Sequence, residues 1–300
     1  MTALDELAPG VLAYVQHDGS WFINNAGVIA GSKSVICIDS CATERRTREF
    51  LGAIRDVTDQ PIDTLINTHH HPDHTNGNSV IEASQIIAQT QCRAEMGTTI
   101  VTPPPGVFEP VDWGELEVRP PTLCFDVSIE LYLDERRIEL LHLGTPAHTT
   151  NDIVAWLPDQ RILFAGDLAF NGGTPFALSG SVAGWLETLE RLDALAPNVV
   201  VPGHGNVGGP ELLGQTGDYL RFVQDAAREA HAAARTPLEA ARQLDLGPYV
   251  ELTDTERIVG NLQRAFAELD GLPRGTPLNH GAAFAAMVQF NGGHPLHCLA

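Results

Sequence analysis

The sequence predicts an α/β fold: a sandwich of two strand-rich halves with a helical extension. Three observations predict it. Short β-branched and apolar runs bounded by Gly, Pro, Asn and Asp recur through the first two hundred residues. Two amphipathic patterns of helical period interrupt them, at 43–54 and 182–196. Beyond Pro210 the apolar spacing is helical and the strand signal stops.

Val11–Gln16, Trp21–Asn24 and Ser34–Asp39 read as strands separated by Gly-containing turns. A helix follows over Thr43–Ile54, with Thr43 as its N-cap. Ile62–Asn67 is a buried strand that ends directly on a histidine cluster, and Ile86–Ala88 is another strand. Thr90–Thr99 has a helical pattern. Residues 102–121 carry Pro103, Pro104, Pro105, Pro110, Pro120 and Pro121, which exclude a regular element. That loop, with Phe108 and Trp113, reads equally well as a rigid connector or a substrate lid.

Ser128–Leu133 and Arg136–Leu141 form a hairpin around Asp134-Glu135, and Ile153–Leu157 and Arg161–Ala165 form a second around Pro158-Asp159. Val182–Ala196 places Trp185, Leu189, Leu192 and Ala196 on one helix face, capped by Ser181. Asn198–Val201 is a further buried strand. Pro210–Arg235 is a long helix with Leu213, Leu220, Val223, Ala227 and Ala230 on one side. Thr236-Pro237-Leu238-Glu239 and Thr253-Asp254-Thr255-Glu256 both read as capping boxes. The second precedes Ile258, Val259, Leu262, Phe266 and Leu269 at helical spacing. The stretch Asn279–Ala300 is Gly-rich and carries His280, His294 and His297. The expected division is a catalytic core over residues 1–209 and a helical appendix over 210–300 packed on it.

Charge narrows the function classes. The chain has 18 basic and 38 acidic residues, a formal net charge of −20. Nucleic-acid binding depends on neutralising phosphates, so no nucleic-acid partner is expected. No apolar run approaches the roughly 20 residues a membrane span needs, and Met1–Gly10 lacks a basic, apolar leader pattern. The five cysteines show no CxxC spacing. Reduced thiols in a cytoplasmic protein are the expectation.

The chemistry is concentrated in Thr68-His69-His70-His71-Pro72-Asp73-His74. Imidazole and carboxylate at alternate positions of an extended chain point to one side, which puts His69, His71 and Asp73 together and leaves His70 facing away. His74 turns in from the start of the next element. Such donors suit zinc, iron or manganese. A chance match to this pattern is on the order of one in a thousand. Three more donors lie at the ends of predicted strands among small residues: His148 in Gly144-Thr145-Pro146-Ala147-His148-Thr149, Asp167 in Phe164-Ala165-Gly166-Asp167, and His204 in Pro202-Gly203-His204-Gly205. His142 reads as structural, His17, His231, His280, His294 and His297 carry no motif, and Asn67 and Asp39 are expected to brace the donors.

In these motifs, taken in order over residues 10–210, the chain resembles the metallo-β-lactamase-fold hydrolases. The resemblance implies an αββα sandwich with two zinc ions between its sheets. His69, His71 and His148 would hold the first ion, Asp73, His74 and His204 the second, and Asp167 would bridge them. It also implies a net positive site that supplies hydroxide for attack on a carbonyl, with Asp73 orienting the nucleophile. Asp167 is a carboxylate that the β-lactamases of the family usually lack and that the glyoxalase II-like thioesterases, lactonases and phosphodiesterases keep. Gly166–Gly180, with Asn171-Gly172-Gly173, is similar to the glyoxalase II loop, whereas the helical appendix has no match to that enzyme's glutathione-binding region. The Ala-rich C-terminal helices and Asn291-Gly292-Gly293 are also similar to actinomycete hydrolases of this fold, among them polyketide thioesterase/cyclases. The expected activity is hydrolysis of a thioester or related ester on a small-molecule or carrier-bound acyl substrate. A lactone or β-lactam is the alternative on the same site, and a mononuclear iron oxygenase of the persulfide dioxygenase kind is the alternative chemistry.

Overall fold

Strands buried on both faces need a layer on each side, and two such sheets stack here with helices outside. The computed structural model describes residues 4–300. The first sheet runs in sequence order: β1 (Leu4–Ala8), β2 (Val11–Tyr14), β3 (Ala26–Ala30), β4 (Val35–Ile38), β5 (Ile62–Ile66), β6 (Gln85–Gln89) and β7 (Leu123–Phe125). Pairing is antiparallel from β1 to β4 and parallel from β4 to β7. The second sheet has the order β12-β11-β10-β9-β8, made of β8 (Ser128–Leu133), β9 (Arg136–His142), β10 (Ile153–Leu157), β11 (Ile162–Phe170) and β12 (Val199–His204). Only β11 and β12 pair in parallel there, and their register is irregular between Phe164 and Phe170.

Between the sheets, Val11, Ile29, Ile36, Ile38, Ile66 and Ile87 meet Ile138, Leu140, Ile153, Leu157, Phe164 and Val201. The helices are α1 (Glu44–Arg55), α2 (Pro72–Thr75), α3 (Asn78–Ile81), α4 (Thr90–Glu95), α5 (Val182–Asp193), α6 (Glu211–Ala232), α7 (Pro237–Gln243), α8 (Arg257–Leu269) and α9 (His280–Phe290). On the outside of the first sheet, α1 buries Phe50, Leu51 and Ile54 against Val28, Val35, Cys37 and Leu65. On the outside of the second, α5, α6 and α8 share one apolar cluster with Val154, Trp156 and Leu163. Thr43 and Ser181 cap α1 and α5 as expected, and Thr236 and Glu239 form their reciprocal capping box on α7. The apolar face expected for α6 is buried throughout.

Several elements differ from expectation. Trp21–Asn24 is not a strand, because its aromatic rings plug a cluster with Phe108 and Phe176 and Phe22 adopts a positive φ of 63°. The strand lies later, at β3. β1, β7 and α9 carried no clear signal; α9 is Ala-rich with apolar residues on all sides. The second capping box does not form. The backbone of Thr253 pairs instead with Gly172 and Thr174, Asp254 takes a φ of 56°, and α8 starts only at Arg257. Residues 102–121 are irregular and anchored: Glu109 N–H donates to Leu296 O, Leu296 N–H donates to Val107 O, and Phe108 is buried against Trp21 and Phe284. Among the described residues no helix is long and apolar enough to cross a membrane, and none of the five cysteines is in a disulfide.

Candidate metal centre

β5 ends at Ile66, the chain bends through Thr68–His70, and His71, itself in an extended conformation, precedes Pro72 at the first position of α2. A residue before proline avoids the helical region, and proline at a helix start needs no hydrogen-bonded N–H. The chain therefore turns between His71 and Asp73. His69 and His71 come from the bent segment after β5, whereas Asp73 and His74 sit on the helical turn. Asp73 thus departs from the alternation expected of it, and the reason is Pro72.

The donors assemble as two groups. His69, His71, His148 and Asp167 offer ligand atoms within 4.8 Å of one another, and so do Asp73, His74 and His204. His148 lies in the loop after β9. Asp167 lies inside β11, not at a strand end, in the stretch where the β11–β12 register is irregular. Bulged pairing re-aims side chains next to sites. His204 is the last residue of β12. Gly203 permits this approach, since a Cβ there would overlap Asp167 Oδ1.

Asp167 stands between the groups. Its Oδ2 lies 3.3 Å from His148 Nε2, 3.9 Å from His69 Nε2 and 3.5 Å from His204 Nε2, and its Oδ1 lies 3.1 Å from His74 Nε2. Asp73 Oδ2 is 3.2 Å from His204 Nε2. His71 Nδ1 is 2.8 Å from His148 Nε2.

Outer nitrogens are held so that inner ones face the cluster. His74 Nδ1 is 2.7 Å from Asp39 Oδ2, His148 Nδ1 is 2.6 Å from Phe176 O, and His71 Nε2 is 3.2 Å from Ser179 Oγ. Asp39, at a φ of 60°, also accepts from Thr68 N–H and its hydroxyl. Asn67 donates to His74 O and pairs with Asn78. Asp39 and Asn67 therefore brace the donors as expected. His204 is oriented differently, by parallel stacking on Phe170 with ring centroids 5.3 Å apart. His70 points away, to Asn151 and Glu95, and His142 Nδ1 donates to Asp152 O.

Burial drives His69 and His71 well below the usual histidine range and His148 down to about 4. Burial also opposes protonation of His74 and His204, but carboxylates outweigh it. Asp167, Asp39 and Asp73 raise His74 well above its usual range, and Asp167 and Asp73 push His204 up to about 9. Burial pushes Asp167 toward the neutral acid, and His204, His74 and His148 hold it ionised.

The donor set fits a divalent cation. Buried His69 Nε2, His74 Nε2 and Asp167 Oδ1 have no aligned hydrogen-bond partner, the last two facing each other 3.1 Å apart as an ion pair. Buried polar atoms without partners are rare and costly, and three in one acidic, imidazole-rich cluster match what a cation would satisfy.

Sequence reasoning missed three contributors. Asp152, which accepts from Thr149 N–H and hydroxyl to shape the His148 loop, is buried and pushed up to about 7 by that burial. Ser179 and the Phe176 carbonyl lie in the loop noted only for its glycines. The Thr149–Asp152 spacing was a readable turn signal for the first; a backbone carbonyl leaves no signal in sequence.

The metallo-beta-lactamase superfamily profile matches residues 19–204, more than half the chain. The chain belongs to the metallo-beta-lactamase superfamily. Among curated relatives it is 23% identical over 266 residues to a linear primary-alkylsulfatase of a Pseudomonas species, covering 74% of this chain and 50% of that one. It is 27% identical to a type 2 metallo-beta-lactamase of Bacteroides fragilis, over 64% of this chain and 73% of that one. It is 30% identical to a hydroxyacylglutathione hydrolase of Rhodospirillum rubrum, over 47% of each chain. The chain thus spans only about half the length of two of these relatives. Among solved structures, a metallo-beta-lactamase from Pontibacter korlensis superposes with a TM-score of 0.61 at 19% identity, covering 74% of this chain and 99% of that one. Members of this superfamily are mostly metal-dependent hydrolases, and the αββα sandwich is theirs.

Proposed function

We propose that this superfamily member is a binuclear zinc hydrolase acting on the carbonyl of a thioester or related ester. The observation that carries the reading is Asp167, a buried carboxylate with oxygens close to donors of both groups. His69, His71 and His148 would hold one ion, Asp73, His74 and His204 the other, and Asp167 would contact both. When bound, two such ions supply Lewis-acid activation of water and of the carbonyl oxygen.

The chain's own residues do the positioning. Phe176 O, Ser179 and Asp39 fix three imidazoles in their ring orientations. Asp73 is the most exposed of the clustered carboxylates, with 11% of its side chain accessible. Held ionised against burial by His74 and His204, it can accept a hydrogen bond from an attacking water and orient it. The rings of Phe170 and Trp185 pack against His148, and Phe170 stacks on His204. The similarity to a hydroxyacylglutathione hydrolase supports a thioester, and the type 2 metallo-beta-lactamases support a cyclic amide as the competing substrate on the same groups.

The test is kinetic. Zinc-loaded protein is assayed on panels of acyl thioesters, lactones and β-lactams, with metal content measured on the same sample. Thioesters are expected to be cleaved with the highest kcat/KM. Two bound zinc ions with no ester or thioester cleavage would overturn the reading. Protein purified without added metal that carries one iron and consumes oxygen would replace it with the oxygenase reading.

A further inference from the structure

Helix α8 has a polar stripe, buried but for its half-buried last member, that apolar packing does not explain. Arg257, Asn261, Arg264 and Glu268 recur at spacings of four, three and four, so they share one face. Asn261 and Arg264 have no accessible surface and Arg257 has 2%. Burying guanidinium and amide groups in an apolar cluster is unfavourable without partners. Besides Asp254 on Arg257, Tyr219 on Asn261 and Thr276 O on Arg264, their partners are backbone groups of one segment, residues 174–183.

The bonds follow the chain in order. Arg257 Nη1 donates to Thr174 O at 2.9 Å. Asn261 Nδ2 donates to Pro175 O at 2.8 Å, and its Oδ1 accepts from Ala177 N–H at 2.7 Å. Arg264 donates to Leu178 O through Nε and Nη2 at 3.1 and 2.6 Å. The Glu268 carboxylate accepts from Val182 N–H and Ala183 N–H at the start of α5. Upstream of the helix, Thr253 pairs with Gly172 and Thr174. Gly260 completes the fit, because a Cβ there would come within 2.6 Å of the Phe176 ring.

Asn261 grips the backbone on both sides of Phe176, whose carbonyl accepts from His148 Nδ1. Ala177 N–H shares its planar peptide with the Phe176 carbonyl and Pro175 O belongs to the peptide before it, so Asn261 holds the carbonyl's own peptide and its predecessor and fixes the carbonyl's direction. An imidazole that donates Nδ1–H to it has Nε2 unprotonated, and here that nitrogen faces Asp167 and His71.

We propose that Asn261 is a positioning residue of the metal centre: its amide fixes the Phe176 carbonyl, which sets the tautomer and orientation of His148. Helix α8 lies outside the matched superfamily segment, so part of the centre's scaffold comes from the C-terminal region. The proposal rests on His148 being a metal ligand.

Zinc affinity, read by competition with a chromophoric chelator, tests it alongside thermal unfolding of the metal-free protein. Asn261→Ala is expected to weaken one of the two zinc equivalents by roughly ten- to a hundredfold. Tyr219→Phe removes the other partner of Asn261 Nδ2, a 3.0 Å bond, and leaves its backbone bonds in place. It is expected to lower the melting temperature without changing zinc affinity. Unchanged affinity in folded Asn261→Ala, or an equal loss in Tyr219→Phe, would overturn the proposal while leaving the metal-centre reading intact. Absence of zinc binding by the unmodified protein would overturn both. Should Asn261→Ala not fold, the nitrogen-15 spectrum of unmodified, metal-free protein decides: His148 protonated on Nδ1 supports the proposal, and protonation on Nε2 alone overturns it.

Discussion

The two donor groups differ in what balances their charge before a metal arrives. In the first, burial keeps His69, His71 and His148 neutral at pH 7, with lone pairs ready. In the second, Asp167, Asp73 and Asp39 hold protons on His74 and His204 against burial. The first group is arranged for a cation by low dielectric and hydrogen bonds. In the second, the carboxylates favour the protonated forms of His74 and His204, whose charge would stand where a metal's would. Metal entry there is an exchange of a cation for protons.

Four experiments press on that difference. The largest effect is expected from Asp167→Asn, since Asp167 is the carboxylate close to both groups. Metal content should fall from two ions to one or none per chain, and ester cleavage by roughly a hundredfold or more; mass spectrometry under native conditions and steady-state kinetics read both. Next is proton release. Asp167 and Asp73 push His204 up to about 9, so the second zinc equivalent should release protons at pH 7 and the first should not. Because the protein must give up those protons, second-site affinity should fall as pH drops below about 9, by roughly tenfold per pH unit for each proton released. Calorimetry in buffers of different ionisation enthalpy measures the count; equal release at both sites would erase the distinction. Third, Asp39→Asn weakens the hydrogen bond to His74 Nδ1 and should cost roughly ten- to a hundredfold in affinity at the second site only. Smallest is His70→Ala: its ring faces Asn151 and Glu95, so zinc affinity at both sites should stay within about twofold.

The first group and the second were not equally legible. His69 to His74 announce themselves because their spacing is local and proline sets the turn between them. The roles of Asp39 and Asn67 were readable because both stand at strand ends beside the cluster. The brace of His148 was not, because its atoms are a backbone carbonyl at Phe176 and a side chain 85 positions further on. The same remoteness hid the start of α8. Its capping residues looked like a standard box until Thr253 was drawn into pairing with Gly172 and Thr174. Trp21–Asn24 misled for a related reason: aromatic content resembles a strand, but tertiary packing of the rings decides the backbone. The two-sheet architecture was legible throughout, since alternation and buried runs depend on neighbours within each strand.

One feature of the centre would distort a mutational map of this protein. Gly203 has no side chain and performs no chemistry, yet any Cβ there collides with Asp167 Oδ1. A saturation scan would score position 203 alongside the histidines, as intolerant as a ligand. Separating the two classes takes a readout other than survival: substitutions at Gly203 move Asp167 and are open to relief by a second change nearby, whereas loss of a ligand atom has no neighbour able to restore it.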